Sequence, residues 1–163
     1  MLRRRNHMHA AAQLRGSAHY PRIRGIVEFT QMEHGVMVRV NIHGLPSADE
    51  RCGGNFFGFH IPEGGSCSGN SNDPFANAGG HYNPQNCPHP HHAGDLPPLL
   101  GNDGHAYMTV LTNRFTLEEI IGRTVIVHSM PDDFTSQPSG NSGEKMACGQ
   151  ISLVNHIPAP FEN

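Results

Sequence analysis

The chain predicts an all-β fold, a β-sandwich or Greek-key barrel carrying two long loops. Three observations point there. Seven stretches read as short strands, and those at residues 25–31, 35–43, 55–61 and 104–112 show the two-residue alternation of a strand. No segment shows the periodicity of a long helix. The 163 residues include 19 glycines and 13 prolines, a turn-rich profile.

The elements follow in order. Residues 1–8 read as a short arm, and at its end His7, Met8 and the adjoining His9 form a small run of soft and imidazole donors that reads as a solvated terminus. Residues 9–163 read as one domain, with no internal repeat and no dividing linker. Strands are expected at residues 10–15, 25–31 and 35–43, the last with Val36, Val38, Val40 and Ile42 on one face. Glu33, His34 and Gly35 make the turn of a hairpin between the second and third. Residues 55–61 read as a fourth strand, with Phe57, Phe59 and Ile61 toward the core and His60 on the opposite face, which Pro62 continues. Strands resume at residues 104–112 and 123–130. Between them, Thr116-Leu117-Glu118-Glu119 resembles a capping box for a single helical turn. A polar loop over residues 131–145 leads to a last strand at 147–154.

Composition excludes several classes of function. The formal net charge of −3 gives no footprint of a nucleic-acid binder. No apolar run is long enough to span a membrane. The basic start lacks the apolar stretch of a signal peptide, which leaves a cytoplasmic location as the default expectation. The four cysteines, Cys52, Cys67, Cys87 and Cys148, contain no CxxC pair, so a thiolate zinc ribbon is not expected. Cys52 and Cys87 read as free thiols or intermolecular contacts.

The chemistry concentrates in the long polar segment from residue 63 to residue 100. Its centre, GHYNPQNCPHPHHAGD (80–95), holds His81, His89, His91, His92 and Asp95. Imidazoles and a carboxylate gathered on a loop suit zinc, which takes nitrogen and oxygen donors tetrahedrally.

Six segments together resemble the copper/zinc superoxide dismutase family: GFHIPEGGSC (58–67), GGHYNP (79–84), HAGDLP (92–97), GRTVIVH (122–128), PDD (131–133) and GNSGEKMACGQI (140–151). They run from the fourth strand to the last. The resemblance implies an eight-stranded Greek-key β-barrel, of the immunoglobulin-like sandwich type, with both metals outside the barrel between two long loops. It implies His60, His81 and His128 as copper ligands, and His81, His89, His92 and Asp95 as zinc ligands, His81 bridging the two; His91 is the alternative to His89. Asp132 resembles the carboxylate that hydrogen-bonds ligands of both metals, and Cys67 and Cys148 resemble the intrachain disulfide. The implied substrate is superoxide, and a homodimer is an assembly the family often forms.

Two positions depart from the family pattern. Where the family presents a second copper histidine two residues after the first, this chain has Pro62, which offers no donor atom. Copper is therefore expected to be held weakly and activity to be reduced. The alternative expectation is a non-enzymatic, zinc-binding dismutase-like protein serving metal binding or protein interaction. The family's arginine beside the open copper position is replaced by Lys145, which keeps the charge but not the planar pair of donors. Lys145 and His81 are the catalytic candidates.

Overall fold

The computed structural model describes residues 7–47 and 55–156. Ten strands fall within them: β1 (His9–Gly16), β2 (Arg24–Met32), β3 (Gly35–His43), β4 (Phe56–Phe57), β5 (Phe59–His60), β6 (Leu99–Leu100), β7 (Ala106–Thr112), β8 (Thr124–His128), β9 (Lys145–Gln150) and β10 (Ser152–Val154). Eight of them form one curled antiparallel sheet in the order β5-β8-β9-β1-β2-β3-β7, with β10 paired beside β9 on β1. β4 and β6 form a separate two-stranded piece. β6 packs next to β7, and β4 runs into β5, so this piece spans the gap between the sheet's two edges.

Alternation places the core. Ala10, Ala12 and Leu14 of β1, Val27 and Phe29 of β2, and Val36, Val38, Val40 and Ile42 of β3 are buried on the inner face. Phe57, Phe59, Ile61 and Leu99 close over them. The β2–β3 hairpin pairs Met32 with Gly35, so Glu33 and His34 alone make the turn. The helical turn forms as α1 (Leu117–Ile120), and the Glu119 carboxylate accepts the Thr116 backbone N–H. Of the expected arm, residues 1–6 lie outside the described residues, and the Met8 carbonyl accepts the Gln31 N–H.

Two expected strands are each divided in two. The fourth breaks at Gly58, where the chain changes partner: β4 pairs with β6 and β5 with β8. A Cβ at Gly58 would lie 2.7 Å from the Ser142 hydroxyl oxygen, so the close approach of the 131–145 loop needs glycine there. The last strand breaks at buried Ile151, whose N–H and C=O bond to Arg123 and Gly122; β10 then pairs with the start of β1. β6, within the 63–100 segment, was not expected. Its two residues are too short a run to show a period.

The disulfide joins Cys67 and Cys148 with Cα atoms 5.7 Å apart. It anchors the segment after β5 to β9. Cys87 is a free thiol, and Cys52 lies outside the described residues.

Candidate metal centre

The site is assembled on the outside of the sheet, at the end of β5. His60 points away from the core on β5, on the face opposite Phe59, yet is wholly buried, because the 80–95 loop lies over it. The loop is laid down by backbone bonds: Ile61 N–H donates to the Gly94 carbonyl, and Tyr82 N–H donates to the Ile61 carbonyl. Isolated bridges set His60 opposite Asp95 and Pro62 opposite His81. A Cβ on Gly94 would lie 2.2 Å from the Ile61 carbonyl oxygen, so the GD of HAGD lets the loop come this close. β8 then supplies His128 beside β5.

One cluster comprises His81, His89, His92 and Asp95, whose donor atoms all lie within 4.8 Å of one another. Asp95 Oδ1 is 2.7 Å from His81 Nδ1, and Asp95 Oδ2 is 3.0 Å from His89 Nδ1 and 3.3 Å from His92 Nδ1. His92 Nδ1 is 3.3 Å from His81 Nδ1. A tetrahedron with zinc bonds of about 2.0–2.1 Å has edges of about 3.3 Å, so the spacing fits a zinc shell. His91, the alternative to His89, is exposed and absent from the cluster.

A second cluster comprises His60, His81 and His128. His60 and His81 stack with ring centroids 3.9 Å apart, and His128 stands 4.9 Å from His60, edge to face. Pro62 is buried beside His81 and brings no donor.

Asp132 ties the clusters together. Its Oδ2 accepts from His60 Nε2 and its Oδ1 from His89 Nε2, both at 2.8 Å. Two imidazoles directed at one carboxylate make this a brace; it fixes both rings with the proton on Nε2. The Nδ1 atoms of His60 and His89 are then lone-pair donors, and both are buried without a hydrogen bond: Asp95 Oδ2, 3.0 Å from His89 Nδ1, is itself an acceptor and brings no proton. Buried polar atoms are rarely left so. One partnerless nitrogen belongs to each cluster, which is what a metal ion in each would complete. His128 Nδ1 lies 3.3 Å from the Gly143 carbonyl; donating there frees its Nε2.

The electrostatics keep the donors ready for metal. Burial, reinforced by the His81 and His128 rings, pushes His60 down to about 3. Burial also pushes His128 down to about 4, against the opposing bond to Gly143. Both rings are therefore neutral near pH 7. Burial alone would raise Asp95, but the His81 bond and the fields of the three imidazoles outweigh it, and its carboxyl lies below the usual range. Asp132 behaves likewise: bonds from His89, His60 and the Phe134 N–H overcome burial.

Lys145 stands opposite His128 in the β8–β9 pairing. Its Nζ donates to Asp73 Oδ2 at 2.7 Å and to the Phe75 carbonyl at 3.4 Å.

Three supporting residues escaped the sequence reading. Gln137 makes two bonds to the His89 backbone, accepting its N–H and donating to its C=O. Arg114 Nη1 donates to the carbonyls of Pro90, His92 and Asp95. Gly140, at φ +73°, has no room for a side chain, since its Cβ would lie 2.0 Å from Asp132 Oδ1 and 2.7 Å from His89 Nε2. Gly140 falls within the GNSG segment that carried the resemblance, but Gln137 and Arg114 act on backbone groups and leave no local signal.

Comparison with known proteins agrees with the geometry. The family described as copper/zinc superoxide dismutase (SODC) matches residues 23–151. The protein named superoxide dismutase (Cu-Zn) 2 of Aquifex aeolicus (strain VF5) is 34% identical over 142 residues, 78% of each chain. Superoxide dismutase (Cu-Zn) of Deinococcus radiodurans is 30% identical over 152 residues, 82% of this chain and 80% of that one. Among solved structures, the Cu/Zn superoxide dismutase from Brucella abortus superposes with a TM-score of 0.73 at 30% identity, covering 87% of this chain and 98% of that one.

Proposed function

The chain belongs to the copper/zinc superoxide dismutase family, and on that premise we propose that it converts superoxide to oxygen and hydrogen peroxide, with reduced activity. His60, His81 and His128 would hold copper; His81, His89, His92 and Asp95 would hold zinc. The observation that carries this reading is the pair of partnerless Nδ1 atoms on His60 and His89, one for each cluster, oriented by the single carboxylate of Asp132.

When bound, copper supplies the one-electron alternation that dismutation requires, and zinc, which has no redox chemistry, supplies a fixed charge. This chain's own residues do the rest. Asp132 holds His60 and His89 in the tautomer that presents Nδ1. His81 directs Nδ1 at the zinc cluster beside Asp95; its other ring nitrogen, Nε2, would be the donor toward the copper cluster and the atom that holds a proton for the product. Lys145, opposite His128, offers the positive charge for an anionic substrate. Burial of His60 and His128 keeps their lone pairs unprotonated at neutral pH.

Pro62 is the reason for the reduced activity. It occupies a buried place opposite His81, so the cluster that would hold copper has three imidazoles and no fourth donor at this position. The same observation favours a second reading, a zinc-bearing protein that has lost dismutation and serves metal binding or interaction. Superoxide decay measured on protein loaded with both metals, before and after Pro62→His, separates the two. Copper-dependent turnover by the native chain, rising at least about tenfold in the variant, supports the first reading. No turnover by the native chain, with gain in the variant, selects the second. Full turnover by the native chain, unchanged in the variant, overturns the role given to Pro62.

A further inference from the structure

We propose that Asp73 is a positioning residue that holds Lys145 in place and cancels much of its charge, so that the cation beside the copper cluster is restrained by a built-in counterion. The inference rests on the reading of Lys145 as the substrate-attracting charge.

The geometry is specific. Asp73 divides its carboxylate between two tasks. Oδ1 accepts the Phe75 N–H, and Oδ2 accepts the Lys145 ammonium at 2.7 Å. The Phe75 carbonyl lies 3.4 Å from the same ammonium. Asp73 is in turn fixed by its surroundings. Its N–H donates to the Asn70 side chain, its carbonyl accepts from Asn70 and Ala76, and Asn77 donates to Ser68 across the same turn. Cys67, just before this turn, is bonded to Cys148, three residues after Lys145 on β9. The turn bearing the counterion and the strand bearing the cation are therefore tied at two points, one covalent and one ionic.

The consequence is opposed to that of simple steering. A lysine opposite His128 attracts small anions, but a carboxylate at hydrogen-bond distance makes the pair close to neutral from a few ångströms away. The Lys145 side chain is 19% exposed and Asp73 40%, so the pair sits at the rim, where it tempers the attraction without being sealed from solvent. Asp73 thereby weakens anion capture at the same site at which Pro62 removes a ligand.

The test needs no copper. Zinc-loaded native protein, Asp73→Asn and Asp73→Glu are acetylated with two reagents of matched reactivity, one neutral and one sulfonated, and labelling of Lys145 is followed by mass spectrometry. Asparagine keeps the oxygen that accepts from Phe75 but loses the charge; glutamate keeps the charge. In Asp73→Asn, labelling of Lys145 is expected to rise with both reagents, and by about threefold more with the anionic one, the scale of one unit charge removed at a partly solvated site. Asp73→Glu is expected to stay close to native. Unchanged labelling in Asp73→Asn would overturn the ion pair, and an equal rise with both reagents would overturn the charge cancellation. Equal gains in both variants would show a loosened turn instead, and also overturn it. Copper uptake and superoxide decay on the same samples report separately on the proposed function: their absence together with the expected labelling removes the dismutase reading and leaves the Asp73–Lys145 device in place.

Discussion

At the scale of single residues, the clearest feature is how few side chains organise two clusters. Asp132 orients one imidazole in each. Replacing it with asparagine is expected to weaken zinc and copper together, by about 10–100-fold in affinity, as read by competition with a chelator. Loss confined to one metal would show that the bridge is not shared. Gly140→Ala is expected to act in the same direction, because its Cβ would strike Asp132 and His89 at a backbone position of positive φ; its measurement is zinc affinity by the same competition. The depressed histidines also set the acid limit of the metal-free protein. His128 is neutral in the folded chain down to about pH 4 and takes up its proton near 6.5 when unfolded. Below 6.5 the unfolded chain binds more protons, so stability rises with pH. From His128 alone it is expected to fall by about 3 kcal/mol as pH drops from about 6.5 through about 4, measured by urea unfolding across that range; a flat profile would contradict the burial of a neutral ring. His60 acts in the same sense. The clusters gather His60, His81, His92, Asp95 and His128 from the motif segments, together with His89 from between two of them, and leave His91 outside. The bracing by Gln137 and Arg114 was not legible, because it depends on which backbone carbonyls the folded loops present.

At the scale of elements, strand periods were legible and strand partners were not. The alternation in β1, β2 and β3 is visible residue by residue, and these strands form with bounds near those expected. The fourth and last strands look continuous in sequence, yet Gly58 and Ile151 divide them, because each half pairs with a strand distant in the chain. That division matters to the site. The turn at Gly58 sets His60 against β8, and hence near His128. The disulfide acts at this scale too. It closes a separation of 81 residues and contributes about 2–4 kcal/mol by restricting the unfolded chain. Reduction is therefore expected to lower the melting temperature by about 5–15 °C for a chain of this size, by calorimetry with and without reductant. A shift under 2 °C would show that the loops are held by other means.

At the scale of the molecule, a barrel core and an external site divide the work. The inner faces of β1, β2 and β3 meet Phe57, Phe59, Ile61 and Leu99 without using any metal donor, whereas the 80–95 loop has its donors on the outside, joined to the 131–145 loop through Asp132 and Gln137. The apolar alternation made the first part readable from composition and period. The second was readable only as motifs, since nothing in local pattern brings residue 60 to residue 132. Taken together, we propose a zinc shell complete in its four donors beside a copper cluster that Pro62 leaves short of one. Titrating native protein and Pro62→His with each metal, against chelators of known affinity, tests it most directly. One tightly held zinc in both proteins is expected, with copper held at least about tenfold more tightly by the histidine variant; equal copper affinity in the two, or no tight zinc in either, would contradict it.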